Sequence, residues 1–182
     1  MDERLKYLGV ASGISGWLVI LAAIMVNPWF VFTEDAFSDL GGRLSAYPWV
    51  FNNGMMFTGL LIMVYGVYLT SISLNQSMKI GSWFTVVSGL ALFLIGLYPT
   101  GTSPHFLVSV WFFGQTDLAI GAWGLGLRDR FEVGWLFLVM SVMGPIGAIL
   151  VPWPSTAVVE AYGIVLMNIW VVLMTRFDLT KN

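Results

Sequence analysis

Six runs of about 20 predominantly apolar residues dominate this sequence, and a run of that length is what an α-helix needs to cross a bilayer. The runs cover residues 7–27, 49–72, 80–98, 104–127, 131–151 and 156–175. The chain has 182 residues, of which 58% are apolar and 10% are charged, whereas soluble domains carry about 25% charged residues. We therefore predict an all-α integral membrane bundle of six transmembrane helices, formed by a single domain, 1–182.

The charge and the residue types that are missing from the sequence exclude several classes of function. A formal net charge of −2 argues against a nucleic-acid partner, which would need a basic surface. Cysteine is absent, so the chain has no disulfide framework, no iron–sulfur cluster and no cysteine zinc site. One histidine cannot build a site that needs two imidazoles. We therefore expect no cofactor and no metal site.

The basic residues predict how the bundle lies in the membrane, because Lys and Arg near span ends are retained on the cytoplasmic side. With six spans both termini lie on one side. That side carries seven of the eight basic residues, and the other side carries Arg43. The seven are Arg4, Lys6, Lys79, Arg128, Arg130, Arg176 and Lys181. We predict that both termini are cytoplasmic.

The outer side collects the polar residues that suggest a site. The first outer segment, 28–48, is too long for a plain connection, and loops of this kind often bind ligands. Its pattern predicts a short helix over 34–40, which would bring Ser38 and Asp39 over the bundle. Arg43 lies at i+4 from Asp39, where it either forms a salt bridge with it or binds an anionic headgroup.

His105 begins the fourth apolar run, after a glycine-containing turn. The amino end of a helix disfavours positive charge, so we expect a neutral imidazole. The preferred hypothesis is an outward-facing pocket built from Ser38, Asp39, Arg43, Asn52 and His105. This pocket would bind a membrane lipid or another small amphiphile, and whether it acts on that ligand stays open.

Asp117 lies about 18 Å along the fourth helix from His105, near the bilayer midplane, where an acid costs roughly 2.5–3.5 kcal/mol. We expect it to be protonated or to be hydrogen-bonded to Asn168, at comparable depth in the sixth span. The two residues His105 and Asp117 differ by about 120° around the helix, so we expect them not to share one site. A proton-coupled transporter or channel-like protein centred on Asp117 is one alternative function, and a structural or assembly subunit is another. The oligomeric state stays open.

Four stretches resemble a known family in their order and spacing. They are NPW at 27–29, AFSDLG at 36–41, YPWVFNNG at 47–54 and GLYPTGTSPH at 96–105, followed by WFF at 111–113. In these stretches the chain resembles the prokaryotic polytopic membrane family called domain of unknown function 998. The resemblance implies a six-helix membrane bundle and a multi-pass protein of a prokaryotic plasma membrane, but no activity. A looser likeness to alkaline ceramidases does not extend to their three-histidine metal site, because His105 is the chain's single histidine.

Overall fold

The structure is a computed structural model that describes residues 3–176, and it contains six long helices. They are α1 Leu8–Met25, α2 Pro48–Ile72, α3 Gln76–Leu97, α4 His105–Leu127, α5 Val133–Leu150 and α6 Thr156–Met174. Two short 3-10 helices accompany them, Glu3–Tyr7 ahead of α1 and Phe37–Gly41, here called the loop helix, between α1 and α2. Within the described range the fold is entirely helical, which confirms the predicted class and the number of long helices.

Five of the described helices are long and apolar enough to cross a membrane. These are Arg4–Met25, Pro48–Ile72, Gln76–Leu97, Val133–Leu150 and Thr156–Met174. Helix α4 has a similar length, but Gln115, Thr116 and Asp117 lower the hydropathy of its middle. It packs between α3 and α5, so its polar middle is sheltered by neighbouring helices. The chain is therefore a helical membrane bundle.

Local hydrogen bonds decide where two elements begin. Helix α3 starts at Gln76, ahead of the expected residue 80, because the Asn75 side chain accepts a hydrogen bond from the backbone N–H of Met78. The short helix expected over 34–40 is wrong in position. The backbone N–H of Ala36 donates to Asp39 Oδ2 at 3.0 Å, which starts a 3-10 turn only at Phe37.

Two clusters of buried side chains lie at opposite ends of the bundle. One contains Leu127 and Met174 at the ends of α4 and α6, with Leu5 and Leu8 beside them. The described chain therefore begins and ends at the same end, here called the basic end. It carries Arg4, Lys6, Lys79, Arg128, Arg130 and Arg176, whereas Lys181 lies outside the described residues. That the basic end faces the cytoplasm stays a prediction.

The other cluster contains Phe37 and Leu40 of the loop helix, packed with residues such as Phe51 and Ala157. We call this end of the molecule the loop end. It also carries the first residue of α4, His105, and the first turn of α6. The loop helix is thus part of the core, so its residues are held in fixed positions over the helices.

Helices α2 and α3 approach each other closely where two glycines meet. A Cβ on Gly59 would lie 2.6 Å from the carbonyl oxygen of Gly89, and a Cβ on Gly89 would lie 2.7 Å from that of Gly59. In a bilayer, where no hydrophobic effect drives helices together, close backbone packing of this kind holds them. Gly59 and Gly89 therefore hold α2 and α3 together, and α4 packs against α3.

Candidate functional site

A cleft of about 560 Å³ opens between α4, α5 and α6. It exists because α4 packs along α3 and α5 but touches α6 at few points. Its walls are mainly apolar and include Phe106, Val110, Phe113, Ile120, Met140, Ile149, Val159 and Leu166. Pockets of 300–1,000 Å³ with apolar walls and a few polar groups are typical small-molecule sites.

Polar groups occupy two levels of this cleft. Ser38, His105 and Glu160 lie near the loop end, while Asp117 lies deeper along α4. By helix rise, the backbone positions of His105 and Asp117 are about 18 Å apart. The cleft therefore has a polar entrance, an apolar middle and one acidic group at depth.

The His105 ring is held by its own turn and by the loop helix. Nδ1 lies 2.8 Å from the carbonyl oxygen of Tyr98, and because a carbonyl only accepts, Nδ1 carries the hydrogen. Nε2 lies 3.2 Å from Thr100 Oγ1 and 3.5 Å from Ser109 Oγ. The Thr100 hydroxyl also donates to the carbonyl oxygen of Ser38 at 2.9 Å. This chain of contacts ties the start of α4 to the loop helix.

Glu160 anchors the loop helix from the opposite wall. Its Oε2 accepts a hydrogen bond of 2.8 Å from the backbone N–H of Phe37. Nearby, the N–H of Ala157 donates to the carbonyl oxygen of Asp35 at 2.9 Å. Glu160 is not among the site residues expected from the sequence. An acid only four positions into an apolar span is the signal that could have selected it.

Asp117 points into the cleft towards α5. Its Oδ1 lies 3.2 Å from the place where a Cβ of Gly144 would be, so the absent side chain makes room for the carboxyl group. Leu166 Cδ1 lies 3.4 Å from the same place. Among the described residues Asp117 has no hydrogen-bond or ion-pair partner. The carboxyl group is therefore available to a molecule in the cleft.

The expected hydrogen bond between Asp117 and Asn168 is wrong. Asn168 faces α1, where it packs on Gly13 so closely that a Cβ there would overlap Asn168 Oδ1. It lines a separate cavity of about 90 Å³ in the centre of the bundle. That cavity is also bordered by the hydroxyl-bearing residues Ser12, Thr58, Thr85, Ser88 and Thr116.

His105 and Asp117, which were expected not to share one site, line the same cleft at two levels. Their separation of about 120° around α4 corresponds to a third of the helix circumference. The cleft is bounded by both α5 and α6, so it exposes a wall of α4 wide enough to include both side chains. The angle between two residues around α4 therefore does not decide whether they line different cavities, because α5 and α6 leave a broad face of α4 open to the cleft.

Three residues of the expected pocket lie outside the cleft. Asp39 caps Ala36, as described above, and Asn52 Nδ2 donates to the carbonyl oxygen of Gly41 at 3.0 Å. Arg43 is exposed beyond the loop helix. Among the described residues no Asp39–Arg43 ion pair forms, because the loop helix ends at Gly41 and does not continue to Arg43. A part for these residues in ligand binding stays a prediction.

The cleft does bring together Ser38 and His105 of the expected set. No curated protein and no solved structure matches the chain. The model of one family, described as "Protein of unknown function (DUF998)", matches residues 10–176. The match covers nearly the whole chain, and with the six-helix bundle it establishes that this membrane protein belongs to that family of unknown function.

Proposed function

We propose that the protein binds a lipid-like or other small amphiphile in the cleft between α4, α5 and α6. The observation that carries the proposal is the distribution of polarity in the cleft, with apolar walls along its length and Ser38, His105 and Glu160 at the loop end. An amphiphile has the complementary distribution, because its chain loses contact with water while its polar part needs hydrogen-bond partners.

The rim of the cleft supports entry from the bilayer. Phe106 on α4 and Ile149 on α5 both border the cleft and are each 78% exposed. Large apolar side chains with that exposure on a membrane helix contact lipid tails. A ligand would therefore enter sideways from the leaflet at the loop end, which the charge distribution predicts to be the outer leaflet.

Analysis of co-purified lipids tests this function. Wild-type protein and the His105→Ala, Gly114→Leu and Arg43→Ala variants are purified in a mild detergent, and bound lipids are identified by mass spectrometry. We expect wild type to retain an amphiphile, and Arg43→Ala tests whether Arg43, which lies outside the cleft, takes part in holding it. Gly114→Leu, which places a side chain in the cleft, loses it, and His105→Ala retains less. Identical lipid content in all four proteins contradicts the proposal.

A second candidate, proton-coupled transport, is favoured by the unpartnered carboxyl group of Asp117 in the middle of α4. Such groups in transmembrane helices often belong to proton pathways. Its test is proton flux into liposomes that contain the protein. Transport through Asp117 predicts a flux that Asp117→Asn abolishes, and the absence of flux with wild type removes this candidate.

A further inference from the structure

The cleft has an uneven charge balance. Two carboxyl groups, those of Asp117 and Glu160, border it, and among the described residues that line it there is no lysine or arginine. His105 is the one histidine that lines the cleft. The site therefore offers carboxyl oxygens as hydrogen-bond acceptors but, among the described residues that line it, no lysine or arginine to receive an anionic headgroup.

The two carboxyl groups differ in what they contact. Glu160 already accepts the backbone N–H of Phe37, so it helps to hold the loop helix. Asp117 has no partner among the described residues and lies beside the backbone of Gly144. Pro145, the next residue, also lines the cleft within α5. Asp117 is therefore the carboxyl group for which a ligand can supply the missing hydrogen-bond or ion-pair partner.

We infer that the amphiphile bound in the cleft carries an ammonium group, and that this group pairs with the carboxylate of Asp117. The inference rests on the proposed function and narrows its ligand class. A charge-assisted hydrogen bond between an ammonium group and a carboxylate is about twice as strong as a hydrogen bond between neutral groups. Because Asp117 lies about 18 Å along α4 from His105, a ligand that fills the cleft carries a second polar group, a hydroxyl, which binds beside Ser38 and His105 at the loop end. Its apolar body packs along the cleft walls between these two polar groups. An anionic amphiphile meets two carboxyl groups and, among the described residues that line the cleft, no lysine or arginine, so the cleft selects against it.

A competition assay with three amphiphiles of equal chain length tests this selectivity. The full chain in lipid nanodiscs is loaded with radiolabelled dodecylamine, which is displaced with unlabelled dodecylamine, dodecanol or dodecyl phosphate. We expect dodecanol to require a concentration at least about tenfold higher than dodecylamine, which corresponds to about 1.4 kcal/mol. Dodecyl phosphate should require more than dodecanol.

Two carboxylate-to-amide variants identify the responsible residue. Asp117→Asn, which keeps the side-chain shape, should reduce the difference between amine and alcohol to less than about threefold, or about 0.7 kcal/mol. Asp129→Asn is the matched control, because Asp129 is exposed at the basic end beside Arg128, and it should keep the wild-type preference.

The outcomes separate the inference from the proposed function. Equal displacement by dodecylamine and dodecanol in the wild type overturns the ammonium inference but leaves amphiphile binding in place. The absence of displaceable binding overturns both. A folded Asp117→Asn protein that keeps the wild-type preference overturns the assignment to Asp117. Should that variant fail to fold, the wild-type competition still decides whether an ammonium group is preferred.

Discussion

The substitution Gly114→Leu separates the stability of the bundle from the capacity of the cleft. Gly114 lines the cleft on α4, and a Cβ added to it would meet no atom within 4 Å. The Cβ is therefore accommodated without moving a neighbour, and the remaining leucine carbon atoms have the space of the cleft. Replacing glycine inside a helix removes backbone freedom from the unfolded chain, so we expect stability to rise by about 0.5–1 kcal/mol.

The same leucine occupies space that the ligand needs. Its four side-chain carbon atoms fill space in which about four carbon atoms of the ligand chain would pack, so the ligand binds only with overpacking. Overpacking costs about 1–3 kcal/mol, which corresponds to about fivefold to 150-fold in Kd. Radiolabelled dodecylamine binding in nanodiscs gives the Kd, and thermal unfolding gives the stability.

A matched control for this substitution lies one turn further along α4. Leu118 is 50% exposed and is not part of the cleft, so Leu118→Phe enlarges a side chain on the same helix without filling the site. It should leave the dodecylamine Kd unchanged. A Gly114→Leu protein that is as stable as the wild type and binds dodecylamine with the same Kd refutes the assignment of the cleft as the binding site.

Three further substitutions test the packing and hydrogen bonds that position the cleft. Gly59→Ala brings a Cβ to 2.6 Å from the carbonyl oxygen of Gly89. Because the two helix backbones cannot move apart freely, we expect the free energy of unfolding to fall by about 1–3 kcal/mol and Tm to fall with it. An unchanged Tm argues against close packing there. Glu160→Ala leaves the N–H of Phe37 without its acceptor, at a cost of about 1.5–3 kcal/mol, and should speed hydrogen–deuterium exchange in the loop helix, whereas Glu160→Gln should not. Equal exchange in all three proteins contradicts the anchoring role. Asn75→Ala removes the cap of α3 and should cost about 1 kcal/mol in thermal unfolding, while a neutral effect means that solvent replaces the cap.

The number of long helices could be predicted from the sequence because bilayer thickness fixes the length of a span independently of tertiary packing. The form of the loop helix could not be predicted in this way. Its start depends on a hydrogen bond from Ala36 to the Asp39 side chain, and many local sequences with polar residues offer several such bonds. The tertiary structure decides which of these hydrogen bonds forms, and that bond sets where the element begins.

The site was harder to predict than the fold, because a cleft forms where helices do not pack. Ser38 and His105 could be selected as polar residues at one end of the bundle. Glu160 could have been selected as an acid near the start of an apolar span, but its contact with the loop helix could not be predicted. Gly114 could not be selected, since it is defined by the empty space beside it. Helical angles, taken alone, separated His105 from Asp117, although both face the space that α5 and α6 enclose.

Photo-crosslinking with a dodecylamine that carries a diazirine in its chain tests the central claim most directly. The labelled protein is digested, and the modified peptides are identified by mass spectrometry. If the cleft binds the amphiphile, adducts concentrate on its walls, at residues such as Phe113 and Met167, and Gly114→Leu removes them. Adducts spread over exposed lipid-facing residues such as Leu18 of α1, with a yield that Gly114→Leu does not change, would contradict binding in the cleft.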